Sequence, residues 1–292
     1  MKSNFRRGLL AAGVAVLLLS SWAFCQPEEE VIEQARQGVI NWSLGLLQAH
    51  GVVTPQRPLS PESAERQSAL AEARRRAWQR LYETVMQVRI RGTRSVGDLT
   101  SDDQIVAAKI REMVTNAHIA GQEYLSDGTV AVTVEMNLHG GFSQLVLPPE
   151  IKQIESLKTV EESPGEGSAN PNSDRKKESP PYTGLVIDAR GSGCLPAIYP
   201  TVSDETGEEI YGAPYVSREF VVQEGMSGYS RDPDAALADP RVAPRPMTVK
   251  GLRSLENDPS AIVISNADGA RIRGTPEHLS FFKTCRVVVI LD

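Results

Sequence analysis

The clearest pattern along the chain is an apolar stripe with helical spacing in its first third. Ser60 and Pro61 form a helix start signal, because an N-cap serine followed by a first-turn proline suits the first backbone groups of a helix. The periodicity that follows predicts an amphipathic helix over residues 60–88. Its apolar stripe consists of Ala73, Ala77, Leu81, Val85 and Val88, flanked by Trp78 and Tyr82. The small alanines would let this helix approach a sheet closely.

Two weaker helical patterns lie on either side of this stripe. Ser101 and Gln104 stand at capping-box spacing and predict a second helix. Its expected buried line is Val106, Ile110, Met113 and Ala117. Residues 31–48 carry apolar side chains at mixed spacing and predict a modest amphipathic helix, although Gly38 and Gly45 disfavour it.

A hairpin is predicted after the second helix. Apolar and polar residues alternate over residues 129–138, which is typical of a half-buried antiparallel strand. Asp127 and Gly128 readily form the tight turn that would join it to a strand over residues 119–125. The hairpin edge or outer sheet face is therefore a candidate surface for adding a neighbouring subunit. The residues assigned to it are Thr129, Ala131, Thr133, Glu135 and Asn137.

Short apolar runs separated by turn residues fill the second half of the chain. They predict strands over residues 185–188, 198–202, 208–211, 247–252, 261–265 and 287–291. Asp232 and Pro233 begin a short helix, and a brief helix is expected over residues 267–272. This half is predicted to be a mixed α/β domain.

These elements predict an α+β protein in several parts. Residues 161–181 contain no apolar side chain larger than alanine and are expected to form a flexible linker. The predicted organisation is a signal peptide at 1–25, a strand-helix-helix-hairpin module at 26–150, a linker at 151–181 and the mixed α/β domain at 182–292.

The first residues of the chain resemble a secretory signal. Arg6 and Arg7 precede an apolar run over residues 9–19, which is shorter than the roughly 20 residues that cross a bilayer as a helix. Cleavage before Gln26 is favoured because Phe24 fits a lipoprotein signal poorly, but lipidation of Cys25 stays open. The expected location is the periplasm, with peripheral outer-membrane association as an alternative.

Charge excludes several classes of partner. Removal of residues 1–25, which hold three basic residues and no acidic one, changes the formal net charge from −6 to −9. General binding to nucleic acid or to an anionic membrane needs clustered basic residues, so neither is expected. The one dense basic cluster, Arg74 to Arg76, lies in the predicted long helix and pairs with nearby acidic residues such as Glu72.

The cysteines predict a disulfide, and the histidines do not predict a metal site. After signal removal Cys194 and Cys285 remain, and two cysteines in an oxidising compartment are expected to pair. By the loop-entropy estimate, a disulfide between them would add about 4 to 5 kcal/mol to the free energy of unfolding. Two buried free thiols are the rival interpretation. No metal is expected, since the four histidines are scattered surface or turn residues without ligand spacing. They are His50, His118, His139 and His278.

The remaining polar candidates follow two predicted strands. Asp188 and Arg190 come after one strand, and Asn266 and Asp268 come after another, so all four could meet at one sheet edge and bind a small ligand. Helix capping, with Asn266 as the N-cap, is the competing interpretation. The loop 191–194 lacks the order of a nucleophile turn or a phosphate loop. No catalytic residue and no cofactor is therefore predicted.

Part of the chain resembles a known family. Alanines and arginines along residues 69–77, Ser95 and Val96, and the strand over residues 128–135 are similar to the N-terminal module of flagellar assembly protein T and of small outer-membrane lipoproteins that build flagellar disks. Residues 182–190 and 262–268 resemble the C-terminal part of uncharacterised exported proteins grouped with them. The resemblance implies an assembly module of the cell envelope without known catalysis.

Two functional hypotheses follow. The first is a non-catalytic exported envelope protein that acts by protein contacts or self-association, as an accessory of a flagellar or similar ring. The second is a periplasmic protein that binds a small ligand or the cell wall through a pocket near Asp188, Asn266 and Asp268.

Overall fold

The computed structural model describes residues 30–56, 63–151, 181–274 and 276–292. The predicted signal peptide and almost all of the predicted linker lie outside these ranges. Helices and sheets occur in both halves of the described chain, so the α+β prediction is confirmed.

The described part of the first half consists of a five-stranded antiparallel sheet, a small two-stranded hairpin and four helices. Its strands are β1 Ile32–Gln34, β2 Gly38–Asn41, β3 Leu46–Val53, β4 Arg89–Arg91, β5 Arg94–Ser95, β6 His118–Tyr124 and β7 Val130–Asn137. Its helices are α1 Ala64–Met86, α2 Val96–Asp102, α3 Gln104–Thr115 and α4 Gly141–Val146. The main sheet has the order β1-β2-β3-β7-β6, whereas β4 and β5 form a separate small hairpin. Strands β3 and β7 are therefore central.

Helix α1 packs closely on β3 because small residues meet at the contact. The predicted stripe is buried, with Ala73, Ala77 and Leu81 fully enclosed. Opposite them lies Gly51, where an added Cβ would be 1.9 Å from the carbonyl oxygen of Ala73. The helix backbone thus lies directly against the strand backbone, and no other residue fits at position 51.

Local signals in the first half were partly misread. Residues 31–48 form strands β1 to β3 instead of a helix, because Gly45 takes a positive φ of 63° and turns the chain between strands. The N-cap of α1 is Ser63, whereas Ser60 lies outside the described residues. Ser101 does not open a helix, since Ser95 caps α2 and Asp103 caps α3. The hairpin of β6 and β7, with Gly128 in its turn, is confirmed.

The second half is a seven-stranded mixed sheet. Its strands are β8 Gly184–Asp188, β9 Thr201–Asp204, β10 Glu209–Tyr211, β11 Gly228–Ser230, β12 Pro246–Leu255, β13 Asp258–Ile264 and β14 Val287–Ile290. Its helices are α5 Arg218–Glu224, α6 Pro233–Ala238, α7 Asn266–Arg273 and α8 Pro276–Lys283. The order is β10-β9-β13-β12-β8-β14-β11. Strands β12, β8, β14 and β11 run parallel, whereas β13 runs against β12.

Most predicted elements of the second half are present. The final run forms β14, whose four residues are all buried between neighbours on both sides, as expected for an internal strand. Asp232 is the N-cap of α6 and accepts two backbone N–H bonds. The N-cap of α7 is Ser265, so the assignment of that role to Asn266 was wrong. Strand β11 and helix α8 were missed because both are short and weakly patterned.

The two halves pack directly against each other. The backbone of β4 accepts hydrogen bonds from Ile198 N–H and Tyr199 N–H, and the N–H of Gly92 donates to Ser260 Oγ at 2.8 Å. The buried apolar residues of both halves form one continuous cluster. The two halves therefore share one hydrophobic core.

We expect the α1–β3 contact to be the position most sensitive to a small substitution. Gly51→Ala would force the helix away from the strand and should lower the free energy of unfolding by roughly 3 kcal/mol, as overpacking does. Chemical denaturation measures this change. Gly121→Ala in β6 is the matched control, because its Cβ would meet only Thr133 at 3.9 Å. Equal stability of the two variants would contradict the packing described here.

Candidate interaction site

Asp188 and Arg190 form one tight ion pair at the end of β8. The guanidinium donates Nε to one carboxylate oxygen at 2.8 Å and Nη2 to the other at 3.0 Å. Lys250 of β12 lies 3.3 Å from the same carboxylate. The Arg190 guanidinium, aided by Lys250, holds the pKa of Asp188 well below its usual range. Asp188 is thus a fixed anion with its charge already matched, and it cannot supply a proton in catalysis.

Asn266 and Asp268 do not join this pair. Asp268 accepts from Ser265 Oγ at 2.8 Å and lies 3.4 Å from Arg271, so it belongs to the first turn of α7. Because β13 runs opposite to β8, the chain after β13 leaves the sheet in the opposite direction from the chain after β8. The prediction of one four-residue site was therefore wrong. Capping explains Asp268, and the backbone N–H of Asn266 donates to Glu205.

The predicted disulfide is absent, and both cysteines are free thiols. Cys194 lies in the turn beyond the carboxyl end of β8, whereas Cys285 lies two residues before β14, which runs parallel to β8. The two cysteines therefore lie at opposite ends of the parallel strands β8 and β14, about 16 Å apart along the strand direction. A disulfide needs Cα atoms within about 7 Å. Burial raises the pKa of each thiol to about 12, so neither is a ready nucleophile.

The predicted interaction edge lies at a different strand. Strand β7 pairs with β3 on one side and β6 on the other, so it has no free edge. Its outer face remains partly exposed at Ala131, Thr133 and Glu135, while Thr129 is buried and Asn137 is exposed at the strand end. Strand β6 is an edge of the sheet, and its last three residues, 122–124, are all exposed.

Strand β6 leaves backbone groups without strand partners along its outer side. Leu125 N–H donates to the carbonyl of Thr129, so the alternation of an antiparallel ladder turns the N–H and C=O of Tyr124 and Gln122 away from β7. No described strand pairs with them. The alternation of apolar and polar residues predicts the hairpin but does not show which of its two strands lies at the edge of the sheet. That depends on the pairing of β7 with β3, which no local pattern reveals.

Two arginines of α1 contact side chains of β6. Arg66 stacks on the ring of Tyr124, with its guanidinium carbon 3.8 Å from the ring centre. Arg74 donates to Gln122 Oε1 at 3.2 Å. The end of β3 that extends past β2 is different, because Arg76 donates to the carbonyl of Val52 and Arg80 donates to the carbonyl of His50. Arg74 and Arg76 of the basic cluster thus donate hydrogen bonds to the sheet. Arg76 also pairs with Glu72 at 2.8 Å, as predicted.

His139, predicted to be a surface or turn residue, lies in the bend after β7 and is half-buried where the two halves meet. An added Cβ at Gly45 of the first half or at Gly225 of the second would fall within 2.8 Å of its ring. Burial lowers the pKa of His139, the nearby Arg241 lowers it further, and Glu224 partly opposes this shift. Protonation of this ring would place a charge inside the contact between the halves.

Within the described ranges, no three side chains of His, Cys, Asp or Glu come together as a group that could hold a metal ion. None of the helices described is long and apolar enough to span a bilayer. The side chain of His278 lies outside the described residues.

Comparison with known families matches the second half of the chain. A family model for the second domain of the Treponema pallidum protein Tp0624 matches residues 184–292. The match therefore begins at the first residue of β8 and includes Asp188, Arg190 and both free thiols. No curated protein matches the chain.

The stability of the protein should decline with acid through His139. Because the pKa of this group is lower in the folded chain, the unfolded chain alone binds a proton below about pH 6.5. The contribution of His139 to the free energy of unfolding should therefore be fully present above about pH 6.5. It should be lost as the pH falls toward the pKa that His139 has in the folded chain. Denaturation of His139→Gln across pH 7 to 5 should show a shallower decline.

The matched control for this measurement is His50→Gln. His50 is exposed, and its ring contacts Thr133 on the outer face of the first sheet. Comparison of the two variants separates the loss of the ring at the contact between the halves from the loss of a histidine elsewhere. An unchanged slope in His139→Gln would show that the contact between the halves does not respond to this ring.

Proposed function

We propose that this protein is a non-catalytic, exported component of the cell envelope that works by binding other protein subunits through the free edge of β6. The signal-like residues 1–25 support a periplasmic location. The observation that carries the binding role is the outward backbone of Gln122 and Tyr124, which has no described strand partner. An added strand would satisfy these groups and extend the sheet.

The polar residues elsewhere support a binding role over catalysis. Asp188 is matched by Arg190 and Lys250, and Asp204 is matched by Arg273 at 2.9 Å. Both thiols have a pKa raised to about 12 by burial. These groups are held in fixed ionisation states, whereas a general acid or base needs a pKa near the working pH.

A fixed arrangement of the two halves also suits an assembly component. The shared core and the β4 hydrogen bonds hold the edge of β6 at a constant position relative to the second domain. A subunit that binds at β6 would therefore set the position of the whole chain. The resemblance of the first module to flagellar assembly protein T is the reason for proposing an accessory of a flagellar or similar ring.

A small-ligand function is the second candidate, supported by one cavity. A space of about 620 Å³ lies on the second half, lined in part by Tyr229, Arg241 and Arg286, and Ser43 is the one lining residue that the first half contributes. Its size suits a small molecule. However, Arg241 and Arg286 already donate to backbone carbonyls. The cavity contains none of Asp188, Arg190, Asn266 and Asp268.

The edge function can be tested in the native host with a photo-cross-linking amino acid at position 123. Glu123 lies within β6, between the two residues with outward backbone groups. We expect cross-links to a defined envelope protein or to a second copy, and their loss when Gln122→Pro removes an outward N–H. Intact mass of the same sample should show a chain that begins at Gln26.

Controls separate loss of the edge from loss of the fold. The same photo-cross-linker at Asp234, on α6 of the second domain, should give no such adduct. Gln122→Pro should keep a near-native melting temperature, because its N–H does not bond to β7. An unprocessed Met1 terminus would contradict export, and cross-links that survive Gln122→Pro would contradict binding through the edge.

A further inference from the structure

We infer that a small polar cavity between the two halves is a binding site for an ordered internal water molecule, which joins the halves by hydrogen bonds. Residues of both halves line this cavity, among them His139 and Ser143 of the first half and Ser227 and Tyr229 of the second. Most of the lining residues are buried, whereas His139 is half-buried. The water site would exist whether or not a partner binds at β6.

The size of the cavity selects its occupant. The space open to the centre of a water molecule is about 30 Å³. About 10 to 15 Å³ of such space holds one water, so the cavity accepts one water molecule and at most about two. Organic ligands of drug size need pockets of about 300 Å³ or more. A water molecule therefore fits this cavity, whereas such a ligand does not.

The hydroxyl of Ser227 supplies a polar group that needs this water. Ser227 is 9% exposed, and its Oγ is buried without a hydrogen-bond partner in the described part of the chain. The hydroxyl of Tyr229 lines the same cavity, but it already donates to the carbonyl of Ala197 at 2.7 Å and accepts from the N–H of Ala197 at 3.1 Å. Buried polar groups that lack a protein partner commonly bond to ordered water.

The first half provides polar groups on the opposite side of the cavity. The imidazole of His139 lies between Gly45 and Gly225, which both line the cavity, with Nε2 toward the first and Nδ1 toward the second. Ser143 Oγ donates to a backbone carbonyl over a long 3.4 Å and keeps lone pairs to accept a hydrogen bond. A buried water makes about three hydrogen bonds, which Ser227, His139 and Ser143 would provide. Such a water would bridge the two halves.

A high-resolution crystal structure of the wild-type protein tests the site directly. We expect electron density for a water within hydrogen-bond distance of Ser227 Oγ and of a polar atom of His139 or Ser143. A cavity without density would overturn the inference. A water that contacts residues of the second half alone would overturn the bridge.

Magnetic relaxation dispersion of the solvent tests the site in solution, because it counts internal waters that exchange slowly with bulk water. Ser227→Val fills the cavity with methyl groups and should remove at least one slow water. Its melting temperature should stay close to that of the wild type, since the lost hydroxyl has no partner in the described part of the chain.

Ser230→Val is the matched control. Ser230 is also 9% exposed and lies three residues further along the chain, but its Oγ donates to the carbonyl of Asp232 at 3.0 Å, and it does not line the cavity. This variant should keep the slow water and melt at a lower temperature.

An unchanged count of slow waters in a folded Ser227→Val variant would overturn the inference. Circular dichroism establishes whether the variant is folded. If it does not fold, the wild-type crystal structure decides by the presence or absence of density beside Ser227 Oγ.

Discussion

The contact between the β4–β5 hairpin and the second domain is the interaction on which the rest of the structure depends. Strand β4 accepts backbone hydrogen bonds from Ile198 and Tyr199, and Arg91 reaches Asp258 at 3.1 Å. Backbone bonds of this kind need both partners in register, so they fix the two halves in one orientation. The shared apolar cluster follows from that registry.

Several features acquire their roles from this contact. His139 is half-buried because Gly45 and Gly225 approach it from opposite halves. Trp42 of the first half meets Tyr229 of the second edge-on, with ring centres 6.0 Å apart, and Ser43 Oγ donates to the carbonyl of Tyr229. Neither half alone would enclose these side chains, so the halves are expected to stabilise each other.

Side chains satisfy exposed backbone groups at the end of β3 but not along the outer side of β6. On β3, Arg76 and Arg80 satisfy carbonyls that extend beyond the end of β2. On β6, Arg66 and Arg74 contact side chains and leave the backbone unpaired. Unpaired strand edges favour addition of another strand, which is why we propose the outer side of β6 as the surface for a partner.

Local patterns predicted much of the fold. The α1 stripe, the β6–β7 hairpin and the buried run of β14 follow from periodicity and turn residues, which depend on neighbours in sequence. The helix predicted over residues 31–48 is wrong because their apolar spacing is mixed, and pairing with β2 and β7 stabilises β3 as a strand. The same limit applies to helix caps, where several candidate residues lie within one turn of each other.

The sequence by itself determined the fold class, the surface charge and the positions of most helices and strands, because these depend on local periodicity and composition. Tertiary structure alone decided strand order and direction. The reversal between β12 and β13 sends Asp188 and Asp268 to different surroundings, and the parallel course of β8 and β14 separates Cys194 from Cys285. The placement of β7 between β3 and β6 moves the open edge to Gln122 and Tyr124. Long-range hydrogen bonding fixes these relations, and no local pattern encodes which strand lies beside which.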